Sequence, residues 1–277
     1  MAPSSARHRE IVPVGNISLS VDFSGGGSTS LVLLHGVTAN LAVWEPIVAI
    51  LEKTFHIMAV DQRGHGRSDK PATGYSASDY SSDVARLIET RAPGGRAVIV
   101  GHSLGSRNAI VAASTFPQLV SGFVGIDFTP FIEDDVFDSL EQRVTGGSRS
   151  FESLDDVEGY LAERYPAIPR DAIVRRARNG FVEKDGLFRP LADPLAMAQT
   201  VQGLRENLAP ALSEVEVPGL LVRGVNSVLV TAAAFESTKN LRPDLEFALV
   251  EGADHYVPEE KPVEIARLVH DFVNRTT

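Results

Sequence analysis

The chain of 277 residues contains no cysteine. Disulfides, thiolate metal sites and cysteine nucleophiles are therefore excluded. It also lacks any apolar run approaching the roughly 20 residues that span a bilayer, so no membrane partner is expected. The N-terminal stretch Met1-Ala2-Pro3-Ser4-Ser5-Ala6-Arg7-His8-Arg9-Glu10 is polar and lacks the apolar centre of a signal peptide, and a soluble cytoplasmic protein is expected. Basic residues are in short supply: the net charge of −10 argues against nucleic acid as a partner. What is present is ordinary globular composition, 43% hydrophobic and 22% charged, with ample length for a buried core. It suits one α/β domain with an insertion better than two equal domains.

Short apolar runs alternate with helical stretches, which predicts a mostly parallel sheet with helices on both faces. An antiparallel hairpin opens the chain, Glu10–Val14 and Ser18–Phe23, turning at Gly15-Asn16. Gly25-Gly26-Gly27 reads as a flexible surface turn. Buried strands are expected at Leu31–Leu34, Ile57–Asp61, Ala97–Gly101, Phe123–Asp127, Gly219–Arg223 and Phe247–Val250, each a continuous apolar run of the kind covered on both faces. Helices fit Ala42–Lys53, Tyr80–Thr90, Ser106–Phe116, Ala232–Leu241 and Pro262–Asn274. The stretch from Asp127 to Gly219 is too long for a simple crossover. Gln142 to Gln202 reads mainly as helices broken at Gly146-Gly147, Pro166, Pro169, Gly186 and Pro194. The expected division is a core of residues 1–129 and 211–277 with a helical cap, 130–210, inserted after the sixth strand. No internal repeat is found.

Gly101-His102-Ser103-Leu104-Gly105 joins one of these strands to a helix. A G-x-S-x-G between strand and helix is the pattern of a nucleophile elbow, in which glycines allow a tight turn and the serine hydroxyl stands above the sheet edge. In such a sheet, ligands gather at the carboxyl ends of the strands. Asp127 ends the sixth predicted strand and His255 follows the last, giving the chain order Ser, Asp, His. His255 is the expected general base. The stretch Arg223 to Val228, after the seventh strand, offers no carboxylate. Asp127, flanked by apolar residues, needs a partner, and an imidazole N–H supplies one, so Asp127 is the expected orienting acid. Asp254 is a poorer candidate because adjacent side chains point apart. The turn His35-Gly36-Val37 would provide half of an oxyanion hole, its donors the backbone N–H groups of Val37 and Leu104.

Several residues invite functional readings that the pattern does not support. Asp61 to Ser68 is a polar, glycine-rich turn without the ending or the frame of a phosphate loop, and it reads as a structural brace. His35 and His102 read as turn-bracing, and His8, His56 and His270 as surface or structural. No spacing suggests a metal site. Between Glu141 and Arg189, nine Lys/Arg face nine Asp/Glu in a chain that is otherwise acidic. Most belong to solvated helix faces. A few turned inward would select an anionic substrate, because a guanidinium pairs bidentately with a carboxylate. Tyr165 and Tyr256 could add hydroxyl donors.

Taken together these residues resemble the α/β-hydrolase family across essentially the whole chain. Val60-Asp61-Gln62-Arg63-Gly64-His65-Gly66, Asp69-Lys70-Pro71, Gly74-Tyr75 and Val100 to Gly105 carry the general likeness. Ile126-Asp127-Phe128-Thr129-Pro130, Ala253-Asp254-His255-Tyr256-Val257, Arg164-Tyr165-Pro166, Ile168-Pro169 and Met197-Ala198-Gln199-Thr200 resemble a narrower group, the enamide hydrolases of vitamin B6 degradation. The resemblance implies an eight-stranded α/β-hydrolase sheet, a Ser103–Asp127–His255 triad, and oxyanion donors at Val37 and Leu104. It further implies that Arg143, Arg164 and Arg176, with Tyr165 and Tyr256, hold the carboxylates of a small anionic substrate. The implied reaction cleaves the amide of an N-acyl dicarboxylate to acetate, ammonia, carbon dioxide and succinic semialdehyde, without a cofactor. Whether Ser103 is a covalent nucleophile or His255 activates water is open at this stage, and a homodimer is compatible with the sequence. The rival readings are a broad carboxylesterase or lactonase, a receptor-like protein that keeps its triad, and a cofactor-free oxygenase of a heteroaromatic using a similar His–Asp pair.

Overall fold

In a computed structural model, residues 7–145 and 149–277 are described. The helix break expected at Gly146-Gly147 lies outside them, as do Met1 to Ala6. Strands β1 (His8–Pro13) and β2 (Ser18–Ser24) form the opening antiparallel hairpin. Then come β3 (Ser30–Leu34), α1 (Glu45–Leu51), β4 (His56–Val60), α2 (Ala77–Arg91), β5 (Ala97–His102), α3 (Leu104–Thr115) and β6 (Val120–Ile126). The expected helix at Ala42–Lys53 is divided: a 3-10 turn at Leu41–Trp44, capped by the Asn40 side chain, leads into α1. The chain closes through β9 (Gly219–Gly224), α9 (Ala232–Leu241), β10 (Glu246–Val250), α10 (Val257–Glu260) and α11 (Pro262–Thr276).

The eight strands run in the order β1-β2-β4-β3-β5-β6-β9-β10. All pairings from β4 to β10 are parallel, and β2 joins β4 antiparallel. Every residue of β3, β5 and β9 is buried, as a strand with helices on both faces must be. On one face Leu87 and Ile88 of α2 and Ile110 of α3 pack on Val32 and Ile99. On the other Ile47 of α1 and Val269 and Phe272 of α11 pack on Val98 and Val124. Each such side chain contributes about 1.5–3 kcal/mol by leaving water. These layers make the sheet rigid, and its carboxyl edge is therefore a fixed platform.

Gly25 and Gly27 are not the free surface turn expected. A Cβ on either would lie 2.0 Å from a backbone carbonyl of Phe55 or Thr54, so the turn is pressed against the chain entering β4.

Between β6 and β9 lie α4 (Asp134–Thr145), α5 (Leu154–Arg164), α6 (Arg170–Gly180), β7 (Phe181–Lys184), β8 (Leu187–Pro190), α7 (Pro194–Gly203) and a short α8 (Ala209–Ser213). The β7–β8 hairpin corrects the expectation of helices broken at Gly186. Asp185 and Gly186 both take positive φ, +54° and +74°, the two-residue turn whose twist matches antiparallel strands. Helices α5 and α6 enclose a small core of their own, with Val157, Leu161, Tyr165 and Ile173, against which Tyr256 packs.

Candidate active site

Ser103 stands between β5 and α3 at φ 52°, ψ −113°. Such a conformation costs a residue with a side chain about 1–3 kcal/mol, and surrounding contacts must hold it. They do. The Ser103 N–H donates to the Ile126 carbonyl at 2.9 Å, and the Ser106 hydroxyl donates to the Gly101 carbonyl at 2.7 Å while accepting from the Ile126 N–H at 2.8 Å. The strand and helix meet so closely that a Cβ on Gly101 would lie 2.1 Å from the Gly105 oxygen, and one on Gly105 would lie 2.1 Å from the Leu34 oxygen. Leu104 is the first residue of α3, so its N–H belongs to the unpaired donors of a helix N-terminus.

Asp127 follows β6, also at positive φ (51°), and is fixed by its N–H donating to the Val222 carbonyl at 2.8 Å. Its carboxylate is buried and fully engaged. His255 Nδ1 donates to Oδ2 at 2.7 Å, the Ser227 hydroxyl donates to the same oxygen at 2.6 Å, and the Gly224 N–H donates to Oδ1 at 3.0 Å. Burial pushes the Asp127 carboxyl up, and the bonds from Ser227 and Gly224 pull it back. Burial holds the His255 imidazole below its ordinary value, and the Arg143 cation lowers it further. A neutral imidazole that donates from Nδ1 keeps the Nε2 lone pair as a proton acceptor.

Gly36, Val37, Ser103, His255, Tyr256, Arg143, Arg164, Tyr165 and Arg176 all line one chamber of about 370 Å³. The structure thus brings the sequence-predicted serine, histidine, oxyanion-loop and substrate-binding residues to one space, with Asp127 behind the imidazole. Asp254 does not bond His255; its N–H donates to Glu260 Oε2 at 2.9 Å. The residues read as braces act as braces. His35 Nδ1 bonds the Gly36 carbonyl at 2.8 Å while Nε2 accepts from the Gln62 N–H at 3.1 Å. His102 Nε2 donates to the His255 carbonyl at 2.8 Å. In the polar turn, Asp61 accepts from the N–H groups of Leu41 and Arg67, and Arg63 forms a buried bidentate pair with Asp83, both bonds 2.6 Å.

The arginines divide sharply. Arg170 and Arg189 pair with Glu158 and Asp185 and belong to solvated faces, whereas Arg175, paired with Asp171, is itself largely buried. Arg176 is buried and already paired: its Nε bonds Glu259 Oε1 at 2.9 Å, its Nη2 also bonds Glu259, and its guanidinium lies 4.6 Å from the Tyr165 ring centre and 5.0 Å from that of Tyr256. Arg164 donates to the Arg143 carbonyl and, at 3.2 Å, to the Tyr165 hydroxyl. Among the described residues, neither Arg143 nor Arg164 has a carboxylate partner, and both face the triad chamber. Burial resists ionisation of Tyr165, but the Arg176 and Arg164 cations outweigh it and draw its hydroxyl down, which strengthens it as a donor. Two residues here went unnoticed in the sequence. Ser227 completes the Asp127 shell, and Glu259 neutralises Arg176. Among the described residues no cluster of three or more His, Asp or Glu side chains is placed to hold a metal ion.

Residues 29–170 match the model of a family with the alpha/beta hydrolase fold. The 2-(acetamidomethylene)succinate hydrolase of Mesorhizobium japonicum is 51% identical over 263 residues, which cover 95% of this chain and 94% of that protein. A crystal structure of E-2-(acetamidomethylene)succinate hydrolase superposes with a TM-score of 0.94 at 50% identity, covering 97% of this chain and all of the other. An esterase of Mycobacterium tuberculosis superposes with a TM-score of 0.81 at 25% identity over 97% of this chain and 92% of its own.

Proposed function

The chain belongs to the α/β-hydrolase family, and on that premise we propose that it is a serine amidohydrolase acting on the enamide of a small N-acyl dicarboxylate, E-2-(acetamidomethylene)succinate first among them. The observation that carries the reading is the chamber itself, where Ser103 and an Asp127-oriented His255 share one space with two arginines that lack carboxylate partners among the described residues. A dianion supplies the two missing charges. We further take residues 130–210 as a cap over a core of 1–129 and 211–277, and a charged metabolite of this kind fits a cytoplasmic enzyme.

In the proposed reaction the Ser103 oxygen bonds the acetyl carbon as its proton passes to His255 Nε2. The carbonyl oxygen becomes an oxyanion facing the Val37 and Leu104 N–H groups. The C–N bond breaks as His255 returns the proton to nitrogen. Water, deprotonated by His255, then releases acetate and frees Ser103. The departing enamine tautomerises to an imine, which water converts to an aldehyde and ammonia. That aldehyde sits β to a carboxylate, an arrangement that loses carbon dioxide and leaves succinic semialdehyde.

The covalent step has a direct test. Rapid quenching during turnover, followed by intact-protein and peptide mass spectrometry, should find Ser103 acetylated. Turnover at full rate with no acetyl-serine at any time point would favour direct activation of water by His255.

A further inference from the structure

The chamber at Ser103 has a larger neighbour, about 660 Å³. The two share Thr38 of the oxyanion loop, Val144, Arg164, Tyr165 and Arg176. Beyond them the larger chamber runs to Leu161, Phe181, Ala192 and Met197, and no acidic side chain lines it among the described residues. Its far wall is formed partly by the β7–β8 hairpin, through Phe181 and Pro190. A third chamber, with no lining residue in common with the larger one, shares Leu140, Arg143, His255 and Tyr256 with the triad chamber.

The chemistry decides which half of a substrate faces which side. His255 protonates the leaving nitrogen, so the amine half must lie on the imidazole side, where Arg143 has no carboxylate partner among the described residues. The acyl oxygen must meet the Val37 and Leu104 N–H groups, so the acyl half lies toward the loop that carries Thr38. Both arginines at the neck also line the triad chamber: Arg176 is neutralised by Glu259, Arg164 is left for a substrate carboxylate there, and the wall beyond them is apolar.

From this juxtaposition of a chamber that has an apolar far wall with the acyl side of the triad we propose that the protein also hydrolyses N-acyl dicarboxylates, and simple esters, whose straight acyl chain is longer than acetyl. The inference rests on the serine-hydrolase reading above and uses the same steps: the acyl carbon transfers to Ser103, the leaving group takes the proton from His255, and water releases the longer carboxylate. A methylene moved from water into an apolar wall is worth roughly fourfold.

The test compares kcat/KM for the acetyl, butyryl and hexanoyl forms of the same enamide dicarboxylate, and for the matching p-nitrophenyl esters. The proteins are the wild type, Ala192→Phe and Leu161→Phe, each checked by thermal unfolding. In the wild type the hexanoyl compounds should match or exceed the acetyl ones. Ala192→Phe should lower hexanoyl turnover by about tenfold or more while acetyl turnover stays within about threefold, since an added ring fills only the far chamber. Leu161→Phe repeats the reading at a second wall position. A wild-type rate that falls from acetyl to hexanoyl would overturn the proposal. So would an Ala192→Phe variant that slows both equally, because the leaving group would then occupy this chamber. The ester series separates the two readings: a rise with chain length there, without turnover of any enamide, keeps the acyl pocket and removes the dicarboxylate substrate.

Discussion

At Ser103 and Asp127 the backbone itself is held at positive φ, and each residue is fixed by a backbone bond to a neighbouring strand. Rigid placement allows a neutral imidazole to act as base, and the electrostatics set its pH range. The active form of His255 is unprotonated, and its folded value lies below the ordinary 6.5 because burial disfavours the cation. Its partner titrates the other way: burial pushes the Asp127 carboxyl up to about 7, so the first proton the pair takes up on the acid side goes to Asp127. The acid limb of kcat/KM should follow Asp127 and move to higher pH in Ser227→Ala, which removes a bond to the charged carboxylate; a limb that does not move would contradict the assignment. Ser227 offers a second test. Its hydroxyl bond helps keep Asp127 ionised, and a hydrogen bond to a charged group is worth about 1.5–3 kcal/mol. Ser227→Ala should lower kcat by about tenfold to a hundredfold with KM little changed, measured by steady-state kinetics.

Elements meet the core through contacts of very different strength. The pair between Arg176 of α6 and Glu259 of α10 is buried, with side chains 9% and 3% exposed, whereas Arg170, paired with Glu158, is 75% exposed. Arg176→Met would leave a carboxylate buried and unpaired and should cost about 3–5 kcal/mol of stability. Arg170→Met should cost less than about 1 kcal/mol. Urea unfolding of both, with Arg176→Met/Glu259→Met recovering most of the loss, checks the distinction. Element boundaries were legible wherever the apolar pattern was long. All eight core strands lie within a few residues of their expected positions: the central ones are continuous Val/Ile/Leu runs, which have no other use in a sheet covered on both faces, whereas β10, expected to be covered on both faces, is a partly exposed edge strand. The β7–β8 hairpin was missed because each strand is only four residues long and partly exposed. Its signal was present in Asp185-Gly186, a dipeptide that favours the two-residue turn.

Across the whole molecule, the residues that the sequence marked for chemistry converge on one end of the sheet, and those it marked as braces sit beneath them. What pattern alone did not reveal is the partnering. Nothing local to Ser227 points to an aspartate 100 residues earlier, and Glu259 reads as one more charge in an acidic run, although it lies one helical turn beyond His255. Such bonds form only when distant loops are brought together by the sheet. The resulting site sets Ser103, His255 and Asp127 beside a cationic wall. The proposed function requires that these two parts work on the same substrate.

The measurement that tests this most directly is release of acetate and ammonia from E-2-(acetamidomethylene)succinate by the wild type, Ser103→Ala and Arg164→Ala, with p-nitrophenyl acetate as the neutral control. The account predicts turnover of the dianion that Ser103→Ala abolishes. It also predicts that Arg164→Ala lowers kcat/KM for the dianion by about a hundredfold, as loss of a charge-assisted contact should, while the neutral ester is hydrolysed nearly as before. Hydrolysis of the ester alone, or equal losses on both substrates in Arg164→Ala, would contradict it.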